Sequence, residues 1–168
     1  MTELPDWLRP LAAAVRTVRA EDMSRFLPPD DGSGRQSAVL IAFGEVAAEP
    51  SVLLIERAAD LRKHPGQVAF PGGAVDVDDV DEAAAALREA TEEVGLDPAS
   101  VQVLGTLPAI FIPVTGFVVT PVLAWWRDPH PVAPVDVLEV ARAAVVPIAR
   151  LVEPANRFRV RSPRGPWL

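Results

Sequence analysis

Arg88-Glu89-Ala90-Thr91-Glu92-Glu93-Val94-Gly95-Leu96, preceded by the turn Phe70-Pro71-Gly72-Gly73, is the stretch on which the reading of this chain rests. Glu89, Glu92 and Glu93 stand at i, i+3 and i+4, so on a helix the three carboxylates project from one face. Like charges at that spacing weaken a helix unless a cation sits among them. Oxygen-only ligands suit a hard ion such as Mg²⁺ or Mn²⁺, and Mg²⁺ shares its shell with substrate phosphates and water. A solvated charged helix face explains the three glutamates equally well on their own. The glycine pair tips the balance: Gly72 and Gly73 follow a short apolar run, allow close backbone approach and leave a carbonyl free to face a cation. The pattern points to metal-assisted chemistry on a phosphate or diphosphate.

Working outward, Asp81 is placed to cap a helix that begins at Glu82, and Gly95 to stop it. Ala83, Ala86, Leu87, Ala90 and Val94 form its expected buried face, with alanines small enough to let it lie close to a sheet. Residues 38–43 and 52–55 are apolar runs around a Gly/Pro-containing connection, the pattern of an antiparallel strand pair. Further strands are expected at 68–70, 101–107, 109–114, 116–126, 137–146 and 157–160, with a short helix opening at Pro147. At the N-terminus, Pro5 suits the first helical position. Leu8, Leu11, Ala12, Val15 and Val18 follow a helical period, so residues 5–19 read as an amphipathic helix. Residues 28–34 read as a loop. Strands flanking one strong helix define an α/β (α+β) class with a mixed sheet. The expected organisation is an N-terminal helix and linker, residues 1–35, packed on a domain of residues 36–168.

The 168 residues suffice for one domain with a real core, and 49% hydrophobic with 23% charged residues describe a globular chain. A net charge of −7, with no basic stripe, argues against a general nucleic-acid binder. The absence of cysteine excludes disulfides, thiolate metal sites and a cysteine nucleophile, and agrees with a cytoplasmic protein. The first twenty residues carry Asp6, Trp7, Arg9 and Pro10 where a signal peptide needs an apolar core, and no window has the length of a spanning helix. Arg57, Arg62, Lys63 and His64 gather four basic groups within eight residues of this acidic chain. They are either surface solubility residues or contacts to an anionic ligand, for which guanidinium is the better fork. The aspartates at 76, 78 and 79 do not make an EF-hand, because Val80 falls on a ligand position and no glycine follows it.

Residues 73–96 resemble the Nudix box, ending in R-E-x-x-E-E-x-G-Leu. Leu53-Leu54-Ile55-Glu56-Arg57-Ala58, Arg62, Gly66 and Phe70-Pro71-Gly72-Gly73 are similar to the additional motif of the coenzyme A diphosphatase subgroup. The two motifs together cover about a quarter of the chain. The resemblance implies an α/β/α sandwich and Mg²⁺- or Mn²⁺-dependent cleavage of a diphosphate in a small nucleotide substrate. In this subgroup, coenzyme A is split into 4′-phosphopantetheine and adenosine 3′,5′-bisphosphate. Carried over by position, it implies metal ligands at Glu89, Glu92, Glu93 and the Gly72 carbonyl, and a water-activating role for Glu89. Glu92 and Arg88 complete the catalytic set, Arg88 by holding the helix face, and Arg57, Arg62, Gly66, Phe70 and Gly73 meet substrate.

The chain departs from the pattern in four places. The acidic residue of the general box falls on Val80, between Asp79 and Asp81. The loop after Gly73 is one residue longer, as the subgroup allows. Ile55 replaces a usual threonine, and Ala74 stands where lysine is frequent. Similar proteins also continue into a C-terminal helix that this pattern lacks, which leaves a truncated chain, a shortened product, or a sheet face completed by a second copy in a homodimer.

Overall fold

The computed structural model describes residues 3–60 and 65–157, together with the backbone of 161–162 and 165–166. The elements run α1 (Arg9–Ala14), α2 (Ala20–Met23), β1 (Arg35–Val46), β2 (Glu49–Arg57), β3 (Val68–Ala69), β4 (Gly72–Ala74), α3 (Glu82–Val94), β5 (Val101–Thr106), β6 (Ile110–Ile112), β7 (Phe117–Trp126), β8 (Val140–Pro147) and α4 (Ile148–Val152). Two-residue strands β9 (Arg161–Ser162) and β10 (Gly165–Pro166) pair with each other. The main sheet is mixed. Its path is β3-β2-β1-β7-β5, with β4 on β1, β6 on β7 and β8 on β2. β1 and β7 run parallel over ten residue pairs, from Arg35 opposite Phe117 to Gly44 opposite Trp126, and the other pairings are antiparallel.

Period-two alternation sends successive side chains to opposite faces of the central strands. Ala38, Leu40 and Ala42 of β1, Leu53 and Ile55 of β2, and Val122, Ala124 and Trp126 of β7 turn to α3, which presents Ala85, Ala86, Ala90 and Val94. The helix is anchored at both ends as expected. Asp81 accepts from the Ala84 N–H at 2.7 Å, and Gly95 takes the left-handed conformation at φ 69°. On the other face, Trp7 packs edge-on against Phe43 and Trp125 with centroids 6.2 and 6.1 Å away, and its Nε1 donates to Glu45. Leu8 beside it is fully buried. The N-terminal segment thereby covers the β1–β7 end of the second face.

Several boundaries differ from expectation. The helix expected over 5–19 is reduced to α1, with Pro10 rather than Pro5 in its first turn. Beyond Ala14 the backbone tightens into three-residue turns, Arg16 N–H to Ala13 O and Thr17 N–H to Ala14 O, in a run rich in β-branched residues that favour helix least. The strand expected from 137 starts at Val140, because Asp136 folds 137–139 into a turn: its carbonyl accepts from Glu139 and Val140, and its carboxylate from Leu138. Arg157 lies outside any strand, and residues 158–160 fall outside the described set. The β1–β2 connection turns on Ala47 and Ala48, both at positive φ, 51° and 61°. That is the twist a two-residue hairpin needs, here without glycine.

Candidate functional site

The expected glutamate face of α3 divides into two unlike halves. Arg88 forms the first. Its Nε and Nη2 donate to the two oxygens of Asp79 at 3.1 and 3.0 Å, Nη2 also reaches the Ala74 carbonyl at 3.0 Å, and Nη1 reaches Glu89 at 3.0 Å and Glu92 at 3.2 Å. The Asp79 side chain is 6% exposed, and its contact with Arg88 holds its carboxyl below the ordinary carboxylate range. Asp79, one residue before Val80, thus supplies both of its carboxylate oxygens to Arg88.

Glu93 forms the second half. It is 3% exposed, although the helical pattern assigns no charge to the buried stripe. One carboxylate oxygen accepts the Gly72 N–H at 3.0 Å, while the other, Oε1, is buried without a hydrogen-bond partner. Burial pushes the Glu93 carboxyl up to about 7; the Gly72 N–H opposes this, and the charge of Glu89 adds to it. Burial likewise raises Glu89, against the pull of Arg88. Gly73 lies directly on the Glu89 carboxylate, so that a Cβ there would overlap its oxygens. A Cβ on Gly72 would instead overlap the backbone of Ala38 and Val39. Gly72 meets Glu93 through its N–H.

Glu89, Gly72, Gly73, Phe70 and Arg57 line one cavity of about 590 Å³. Arg57 lies close enough to Glu93 to favour its charged form, and its buried Nε has no partner. Gly66 does not line the cavity: at φ 65° it closes the β2–β3 turn, its N–H donating to the Arg57 carbonyl. Arg62, Lys63 and His64 lie outside the described residues. The cavity also brings in residues that no sequence signal marks. Glu139, in the turn before β8, lines it, and its charge raises the carboxyls of both Glu89 and Glu93. Arg35 and Phe117, paired across β1 and β7, line it as well.

An oxygen-seeking divalent ion fits the inner part of this set. Glu93 Oε1 is an orphaned buried acceptor, and Glu89 and Glu139 add negative charge beside it. An unpaired buried carboxylate oxygen is costly without a cation to meet it. The fit is partial, because Glu92 is 60% exposed on its hydrogen bond to Arg88. Among the described residues, no three acidic or histidine side chains converge on one point.

The fold and this glycine-flanked acidic helix define a class, and the model of the NUDIX domain matches residues 34–164. The chain belongs to the Nudix family. Its most similar relatives include the Nudix hydrolase NudL of Citrobacter koseri, 60% identical over 89 residues, and that of Cronobacter sakazakii, 58% identical over 89 residues. Each match covers 53% of this chain and 45% of the relative, so the matched segment spans somewhat under half the relatives' length. Among solved structures, the Nudix hydrolase RenU of M. smegmatis superposes with a TM-score of 0.59 at 25% identity, covering 75% of this chain and 81% of that one. An Ap4A hydrolase of C. elegans, in a binary complex, superposes with a TM-score of 0.57 at 22% identity over 72% and 86% of the two chains, a likeness of fold alone. No helix among the described residues is long and apolar enough to cross a membrane.

Proposed function

We propose that the protein hydrolyses the diphosphate bond of coenzyme A or a close derivative, with Mg²⁺ or Mn²⁺, to 4′-phosphopantetheine and adenosine 3′,5′-bisphosphate. The observation that carries the chemistry is the orphaned, buried Oε1 of Glu93, whose other oxygen holds the cavity-lining Gly72 and which feels the charges of Glu89 and Arg57, both in the cavity wall. The substrate rests on the resemblance of residues 53–73 to the coenzyme A motif, whose Arg57, Phe70, Gly72 and Gly73 line the same cavity. A bound divalent ion supplies charge neutralisation at the phosphoryl oxygens and lowers the pKa of water. Glu89 and Glu93 would hold such an ion, with Glu92 as a third carboxylate on the same helix face.

In the reaction, water oxygen bonds to one phosphorus, the bridging P–O bond breaks, and the bridging oxygen leaves on the second phosphate. Glu89 accepts the water's proton, and Gly73 leaves room for its carboxylate to face the cavity. Glu139 is the alternative base, since it faces the same group of charges. Arg57 pairs with the diphosphate oxygens through its free Nε. Arg88 and Asp79 touch no substrate; they hold the helix face in position.

Purified protein with Mg²⁺ or Mn²⁺ is tested against coenzyme A, ADP-ribose and NADH, with products identified by mass. Preferred release of 4′-phosphopantetheine is the expected result. Faster cleavage of ADP-ribose or NADH overturns the substrate, and tight binding of all three without products overturns the catalysis.

A further inference from the structure

We infer that Arg35, laid over the ring of Phe117, binds a phosphate monoester that the substrate carries outside its diphosphate, and so sets specificity. The inference deepens the proposed function and rests on it for the identity of the substrate. Its own ground is the division of the cavity. Arg57, Glu89 and Glu139 all act on the charge of Glu93, while Arg35 and Ile112 flank Phe117 as its partners on the neighbouring strands. The two groups are joined along β1, where Arg35, Ser37 and Val39 share a face and all line the cavity. Gly73 pairs with Ala38 and Gly72 with Val39, so Arg35 stands three to four residues from the glycine turn. At ~3.3 Å per residue that is about 10–13 Å of strand, room for one sugar plus the reach of an arginine.

Arg35 is built to wait for an anion. Its Cζ lies 5.2 Å from the Phe117 centroid, and among the described residues it forms no ion pair with a carboxylate. A guanidinium held over a ring leaves N–H groups for a bidentate acceptor, and the ring restrains its position before any ligand arrives. The backbone beneath is pinned too. The Arg35 N–H donates to Gly116 O at 2.9 Å, and Gly34, at φ 113°, packs where any side chain would strike Val118. A cation that merely caps an exposed ring looks different: Arg25 sits 4.9 Å over Phe26, its sequence neighbour, and lines no part of the cavity.

The test is equilibrium binding of adenosine 3′,5′-bisphosphate and of 5′-AMP, by calorimetry at fixed ionic strength, to the wild type, Arg35→Ala, Arg35→Lys and Arg25→Ala. The wild type is expected to bind the bisphosphate about 10-fold or more tighter than AMP, the worth of one charge-assisted pair. Arg35→Ala brings the two ligands within about 2-fold while leaving AMP affinity unchanged, Arg35→Lys falls between, and Arg25→Ala matches the wild type. Absence of a wild-type preference, a preference that survives Arg35→Ala, or an equal loss for both ligands overturns the inference. Turnover of coenzyme A against its 3′-dephospho form is measured in parallel. Inactive protein that still discriminates the two nucleotides breaks the proposed function and leaves the subsite standing. Cleavage of both forms at the same kcat/KM overturns the subsite alone.

Discussion

Arg88 and Glu93 stand a little over one turn apart on α3 and treat charge in opposite ways. The guanidinium of Arg88 is matched on every side, by Asp79, Glu89, Glu92 and the Ala74 carbonyl. Glu93 is buried with one oxygen bound to a single N–H and the other bound to nothing. A closed network makes a segment rigid, whereas an open buried charge is an expense that persists where function requires it. The first therefore holds the helix face, and the second is an open charge set behind Gly72 in the cavity wall. The flanking glycines divide in the same way. Gly72 is required by the backbone of β1, and Gly73 by the carboxylate of Glu89.

The comparison is most sharply broken at the open end. Glu89→Gln and Glu93→Gln are each expected to lower the rate by at least ~100-fold, the usual scale for one electrostatic stabiliser. Near-normal turnover in both variants would remove the mechanism. Stability should move the other way for Glu93. The unfolded chain releases this proton near 4.5 and the folded protein near 7, so between those values the folded state binds more protons and stability falls as pH rises. The full loss is on the order of 3 kcal/mol, reached by about pH 8. In thermal melts with chelator from pH 5 to 8, Glu93→Gln should flatten most of this slope. Mg²⁺ or Mn²⁺ should raise the wild-type Tm more at pH 8 than at pH 6, because the ion takes the place of the proton. A variant with the wild-type slope would mean that the Glu93 charge is not desolvated.

Gly73→Ala tests the neighbouring contact with a smaller effect. The overlap falls on the far end of a flexible glutamate, so Glu89 swings aside and the fold absorbs the change. The expected outcome is a rate loss of roughly 10-fold to 100-fold with Tm nearly unchanged. In Gly72→Ala the overlap is with backbone, and a clear drop in Tm is expected instead. The reverse pattern, with Gly73→Ala unfolding and Gly72→Ala neutral, would erase the division between the two glycines.

How far these features are legible in sequence depends on whether they are local. The cap at Asp81, the stop at Gly95 and the β1–β2 hairpin are local, and each is where the pattern puts it. The three glutamates are legible as a face, but their unequal burial is not. It depends on how closely β4 approaches α3, which brings the Gly72 N–H to Glu93 and leaves Glu92 to Arg88. Glu139 has no motif around it, and it reaches the cavity only because Asp136 folds the chain into a turn before β8. Arg35 meets Phe117 through parallel pairing between strands eighty residues apart, a register that no single window contains. The short N-terminal helix is the opposite case. Its apolar period spans 5–19, but those residues are spent on contacts to the sheet, Leu8 and Val15 above all, that do not need an unbroken helix.

The smallest expected effect separates the two aspartates that approach Arg88. Asp79 is 6% exposed, binds the guanidinium through both oxygens and also accepts the Asp76 N–H at 2.8 Å. Asp76 is 65% exposed and stands 3.6 Å from the same nitrogen. Removing a bidentate partner leaves the cation short of acceptors, so Asp79→Ala should clearly lower the midpoint of chemical denaturation. An exposed ion pair at long range contributes little, and Asp76→Ala should stay within ~0.5 kcal/mol. The carboxyl of Asp79 is held low, so its contribution is complete above pH ~4 and is lost only as the solution becomes more acid than that. Both variants keep Glu93, so its titration near pH 7 is common to them and drops out of their difference, which measures the closed half of the helix face. Equal costs for the two variants would show that Arg88 is held by diffuse charge, and the contrast with Glu93 would then rest on burial alone.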